Sequence, residues 1–200
     1  MFLVPFALLT LSCSDAYKLG GDDGKSAPIG TPTPYFQSFA DTLQEMNWVS
    51  DTARLNKVSL YGNLDEEHRF YFNSHPFYHS KFNETALYRI VIEGKGDFRP
   101  GPEEKELWKK TISVWKYFYK DKEANSGMIT DGLIEQWEFE SEEIAREAHA
   151  SIKRIGQILY FNTEPFYCVH KNHLFIFHAR AMAFSAPQRE IYERFKSSLP

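Results

Sequence analysis

Apolar positions along this chain of 200 residues repeat with two different periods, and the changes of period mark out the elements. Phe36, Phe39, Ala40, Leu43 and Met46 recur at helical spacing among polar residues, which predicts a first amphipathic helix over 35–47. Leu55 to Phe82 crowds rings between Asn and Ser punctuation and reads as short strands and loops. Ala86 to Ile92 is an apolar run closed by Gly94 and Gly96, which predicts a strand. Pro100-Gly101-Pro102-Glu103-Glu104 opens a helix, because proline suits the first turn and acids favour the positive end of the dipole. Its stripe of Leu107, Trp108, Thr111, Ile112, Trp115, Phe118 and Tyr119 carries that helix to residues 120–122.

The C-terminal third reads as a strand-helix-strand-strand-helix unit. Gly132 to Phe139 alternates toward its end as a strand, and Ser141 caps a helix opened by Glu142 and Glu143, with Ile144, Ala145, Ala148, Ile152 and Ile155 as its stripe. Pro165 to His170 and His173 to Phe184 flank Lys171-Asn172, a tight turn in which Asn tolerates positive φ. Ser185-Ala186-Pro187 starts a last helix with Ile191, Tyr192 and Phe195 inward. The expected class is α+β, a mainly antiparallel sheet with packed helices.

The N-terminus follows a different logic. Residues 1–13 carry no charged side chain, and the apolar run Phe2 to Leu11 is only about ten residues. A span needs roughly 20, so the run fits a signal-peptide core instead. Leu9-Thr10-Leu11-Ser12-Cys13 resembles the box in which bacterial lipoprotein signals place a small residue before an acylated cysteine, with Thr10 where leucine usually stands. That resemblance implies a signal peptide over 1–12, lipidation at Cys13 and a membrane partner in a bacterial cell envelope. Residues 13–34, rich in Gly, Pro, Asp and Ser, lack the apolar surface to fold and read as a disordered tether. Residues 35–200 then form a single domain.

Net charge of −4, from 23 basic and 27 acidic residues interspersed, leaves no footprint for a polyanion and excludes nucleic acid as an expected partner. With Cys13 acylated, Cys168 has no disulfide partner and reads as a small buried hydrophobe. Seventeen Phe, eleven Tyr and four Trp can build a dense core or leave rings exposed for binding.

Candidate chemistry is sparse. His75 and His79 stand four apart, but Pro76 argues against the helix that would turn both toward one metal. His170, His173 and His178 cluster around the hairpin, yet the odd separation of His173 and His178 sends them to opposite faces. No metal or cofactor is expected. Residues 20–26 fail as a phosphate loop, since Leu19 stands where its first glycine belongs and no strand precedes it. No Gly-x-Ser-x-Gly elbow occurs, and Asn83-Glu84-Thr85 is a glycosylation triplet that bacterial export leaves silent.

The ligand-binding candidates are Tyr71 and Tyr78, which alternation turns away from Phe70, Phe72 and Phe77, together with His170, His178 and Arg180. Arg180 could instead pair with Glu135 or Glu138 across the sheet. The expected function is a non-enzymatic envelope lipoprotein whose domain binds a ligand or another envelope protein. The alternative is an exported hydrolase or metal-dependent enzyme using His170, His178 and Arg180, and a third reading is a structural tether. Convergent polar groups in one cleft would favour the enzyme, and an exposed aromatic patch the binder.

Overall fold

The computed structural model describes residues 30–51, 69–72, 75–94, 98–123, 131–159, 164–179 and 185–200. Seven strands, β1 (Trp48–Ser50), β2 (Arg69–Phe72), β3 (His75–Ser80), β4 (Thr111–Asp121), β5 (Asp131–Phe139), β6 (Phe166–His170) and β7 (His173–Ala179), form one antiparallel sheet in the order β2-β3-β4-β5-β7-β6. β5 pairs with nearly the whole of one edge of β4, while β3 and β1 share the other, at 114–116 and 119–121. Helices cover both faces. α1 (Pro34–Glu45) and α5 (Ser185–Ser198) pack on one, around Phe36, Phe39, Tyr117, Phe175, Phe177 and Phe195. α2 (Ala86–Val91), α3 (Pro102–Lys109) and α4 (Glu142–Leu159) pack on the other, around Trp108, Trp137, Phe139, Ile152 and Ile176. The class is α+β, and the C-terminal unit runs strand, helix, strand, strand, helix.

Two predicted elements change type. Ala86–Val91 is a helix, not a strand, because Thr85 caps it: the Thr85 hydroxyl accepts from the Tyr88 N–H at 3.2 Å and donates to the Phe82 carbonyl at 2.7 Å. Leu87 and Val91, one turn apart, are its buried side chains. A short apolar run fits either period, and here the cap decides. Thr85→Ala is expected to cost about 1–2 kcal/mol, read as a lower urea midpoint, with Thr85→Ser retaining most of the stability.

The helix opened at Pro102 stops at Lys109, where the Thr111 hydroxyl donates to the Trp108 carbonyl at 2.8 Å. The chain then extends through residues 111–121 as β4 instead of continuing the helix to residue 120. The run from Val114 to Tyr119 is rich in aromatic residues suited to a pleated surface. Both faces of β4 are covered, so all of its residues from 113 to 119 are buried and no polar alternation reveals the strand.

Elsewhere the local signals act as read. α1 ends where Asn47 takes φ 66°, the left-handed position that follows a helix. The Ser141 hydroxyl accepts from the Ile144 N–H at 3.3 Å, capping α4. β6 and β7 are joined through Lys171-Asn172, but Lys171, not Asn172, takes the positive φ of 54°. Asn172 is held elsewhere, donating through Nδ2 to the Phe139 carbonyl at 2.9 Å and accepting from the Phe139 N–H through its own carbonyl. Helix α3 is tied to α4 by a polar relay: Trp108 Nε1 donates to Ser151 Oγ at 2.9 Å, Ser151 donates to Glu104, and Arg154 donates to the same carboxylate at 3.0 Å. None of the described helices is long and apolar enough to cross a membrane.

Candidate functional site

Alternation along β5 and β7 sorts the polar side chains of the sheet into two groups on opposite faces. On the face under α2, α3 and α4, Lys116 and Glu135 are cross-strand partners, and His178 of β7 reaches Glu135 diagonally, Nε2 to Oε2 at 3.4 Å. Trp137 Nε1 donates to the same oxygen at 3.0 Å. Tyr78 pairs with Lys116 from β3, and its ring packs edge-on against Phe118. Lys116, Glu135 and His178 are 1, 5 and 1 % exposed. Burial lowers the His178 pKa, keeping the imidazole neutral at pH 7, with Nε2 the nitrogen that must carry the proton toward Glu135. Burial pushes the Glu135 carboxyl up, but the His178 hydrogen bond, the Lys116 charge and the Trp137 donor outweigh it and hold Glu135 below its ordinary value.

The second group lies on the face under α1 and α5. Ser113, Glu138, His173 and His170 are successive cross-strand partners on β4, β5, β7 and β6, so they form one row across four strands. Ser113 Oγ donates to Glu138 Oε2 at 2.8 Å. Tyr35, in the first turn of α1, stands edge-on against His170 and His173, with ring centroids 5.2 and 6.5 Å away, and its hydroxyl lies 3.5 Å from His173 Nδ1. Burial lowers the pKa of both imidazoles and raises that of Tyr35. Glu138, His170, His173 and Tyr35 are half-buried, so the row borders solvent as the first group does not.

Gln136, one pleat step from Glu138 on this face, fastens the start of the domain: its Oε1 accepts from both the Thr33 N–H, at 2.9 Å, and the Thr33 hydroxyl, at 2.7 Å. The Thr33 N–H can only donate, so the orientation of the amide is fixed. Its buried Nε2 has no hydrogen-bond partner among the described residues.

Compared with known proteins, the chain matches no family model, no curated protein and no solved structure. The site therefore has to be read from its own geometry.

Of the residues singled out from the sequence, Cys13 and Arg180 lie outside the described residues, and Tyr71 sits in β2 opposite Pro76. Tyr78 and Phe77 do point to opposite faces, Phe77 toward Phe36 and Tyr117, but both faces are covered and Tyr78 is only 5 % exposed. His170 and His178 lie on opposite faces of the sheet and do not meet. Glu135 is engaged by His178 and Trp137, and Glu138 by Ser113. His75 and Pro76 lie in strand β3, as the proline required. Cys168 is buried beside α5, and burial pushes its thiol up to about 12. Among the described residues no three His, Cys, Asp or Glu side chains come close enough to hold a metal ion.

The sequence reading missed Lys116, Tyr35, Gln136 and the place of Glu138 in the row. Lys116 had a faint signal, a lone charge inside Val114-Trp115-Lys116-Tyr117-Phe118-Tyr119. Tyr35 and Gln136 had none, because their partners lie more than a hundred residues away.

Proposed function

We propose that this chain is a lipid-anchored protein of a bacterial cell envelope, acylated at Cys13, whose α+β domain binds a ligand without transforming it. The observation that carries this reading is the uncharged apolar run ending in Ser12-Cys13, followed at once by a segment rich in Gly, Pro and Asp. The hold of Gln136 on Thr33 supports it, since a domain hung from a tether needs a firm grip where the tether meets the fold. Binding is favoured over catalysis because the exported-enzyme alternative needs His170 and His178 in one cleft, and the sheet lies between them. Ile112 is the one large apolar side chain exposed among the described residues, so the described surface offers no aromatic face for a protein partner. The half-buried side chains of Glu138, His173, His170 and Tyr35 are the better binding surface.

The full chain expressed in a bacterial host, with mass measurement of the N-terminal peptide from the membrane fraction, tests the anchor. The expected result is a diacylglyceryl-modified peptide beginning at Cys13, and a Cys13→Ser chain that leaves the lipidated fraction. An unmodified Met1 in the soluble fraction overturns the proposal.

A further inference from the structure

We propose that the outer edge of β6, between α4 and α5, is a docking site for an acidic peptide that adds to the sheet as an extended strand. The proposal goes beyond the ligand-binding reading above and rests on neither the anchor nor the half-buried imidazoles. β6 ends the sheet, so one of its sides has no strand beside it among the described residues. The Phe139 N–H donates to the Asn172 carbonyl, so residues 174 and 176 of β7 turn their backbone groups to β5, and residues 173, 175 and 177 turn theirs to β6. Their partners Phe166, Cys168 and His170 therefore bond inward, and Tyr167 and Val169 present N–H and C=O outward. The Tyr167 carbonyl accepts from the Tyr192 hydroxyl at 3.0 Å, as that placement requires. The Tyr167 N–H and both backbone groups of Val169 bond to no described residue, and both residues are only half-buried. Such a row is a template for another strand.

Charge selects the strand. Folded chains commonly blunt an exposed edge with a charged side chain, a proline or a bulge in the strand itself. β6, Phe166-Tyr167-Cys168-Val169-His170, carries none of these at pH 7 and pairs with β7 without a register shift. The charges stand instead on the two helices that overhang it. On α4, the His149 ring lies 5.9 Å from that of Tyr167, and Arg146 and Lys153, about a turn before and after His149, are exposed. On α5, Tyr192 stacks on Phe166 at 5.1 Å, with the Arg189 guanidinium 5.6 Å from the Phe166 ring and Lys196 Nζ 5.4 Å from the Tyr192 ring. Exposed Lys171 closes the end of the strand. Against these cations stand Glu142, paired with Arg146, and Glu164 and Glu193, so the rim keeps a positive excess. An added strand points alternate side chains toward the two helices, and acidic ones meet cations on both sides. A second copy of this chain would bring its own basic rim against this one. A lipid surface meets the cations but leaves the backbone groups of Tyr167 and Val169 unpaired.

The test uses the full chain in a non-ionic detergent, with backbone amide resonances followed by NMR during titration. The probe is the end-blocked peptide Glu-Thr-Val-Glu-Thr-Val-Glu, which places acids on both faces of a strand. Beside it are the same sequence with Lys for Glu, and an N-methylated form whose backbone cannot donate. The expected result is saturable movement of the Tyr167 and Val169 amide resonances with the acidic peptide alone, and slower hydrogen exchange at both. Affinity should be about tenfold weaker in the double variant Lys153→Glu with Lys196→Glu. Both lysines are exposed, so the melting temperature should not move, and Lys153→Gln with Lys196→Gln replaces that variant if it does. Equal binding of the basic peptide overturns the charge argument, equal binding of the N-methylated one overturns strand pairing, and either sinks the proposal. Protection of both amides that rises with protein concentration in the absence of peptide assigns the edge to a second copy. Resonances moved by phosphatidylglycerol vesicles but not by the peptide assign it to a membrane, and both results overturn the proposal. So do amides unmoved by the acidic peptide up to about 1 mM. None of these outcomes bears on the anchor, which the mass of the N-terminal peptide decides.

Discussion

Gly132→Ala is expected to destabilise the domain by about 3 kcal/mol or more, beyond the usual range for a surface-sized change. Gly132 sits between Tyr119 of β4 and Ala179 of β7 in the middle of the sheet. A Cβ there collides with the hydroxyl and a ring carbon of Tyr119 and comes within 2.6 Å of the His178 carbonyl oxygen. Neither neighbour can yield cheaply. Tyr119 is fully buried against Trp48 and the aromatic layer under α1, and the His178 carbonyl belongs to the backbone of a strand paired on both edges. The measurement is a melting curve, where a loss of that size in a chain of this length lowers the midpoint by about 6 °C or more. Tyr119→Ala is itself costly in this core, but placed on top of Gly132→Ala it is expected to cost less than in the parent, a coupling that stays partial because the backbone contact remains. A single Gly132→Ala chain that melts within about 1 °C of the parent shows that the strands can separate enough to admit a methyl group.

How legible this fold was depended on whether an element has one covered face or two. α4 keeps a solvent side, so its stripe from Ala145 to Ile155 stood out against charged neighbours. β4 has none, and the same Leu107 to Tyr119 residues fitted a helical stripe until its cover on both faces was known. Lys116 stayed hidden for the same reason. Parity did carry through: the odd step from His173 to His178 puts them on opposite faces whatever the register. The row from Ser113 to His170 was out of reach, because it exists only once β7 lies between β5 and β6, and strand order leaves no mark on local spacing. The grip of Gln136 on Thr33 depends likewise on the first helix crossing that face of the sheet.

Glu135→Ala is expected to be among the most damaging single changes in the other polar group, at about 2–4 kcal/mol, because it leaves the buried Trp137 indole N–H and His178 Nε2 without the carboxylate oxygen they share. Glu135→Gln, which keeps an amide oxygen for those two donors, should therefore lie nearer the parent than Glu135→Ala, a difference that urea unfolding of the two variants measures directly. Acid probes the same contacts. His178 is depressed below its ordinary value near 6.5, so the unfolded chain binds its proton first and stability falls as pH drops through the imidazole range. Glu135 is also depressed, so its contribution is present above its ordinary carboxylate value and is lost as pH falls further. Both slopes have one sign, and the parent should be most stable above the imidazole range, with a descent in two stages. In Glu135→Gln the carboxylate stage is absent, while burial still disfavours a charged His178, so the first stage remains. A parent whose urea midpoint is flat from pH 7.5 to 5 would show that His178 is not kept neutral by burial, and the charge assignment of the cluster would have to be reversed.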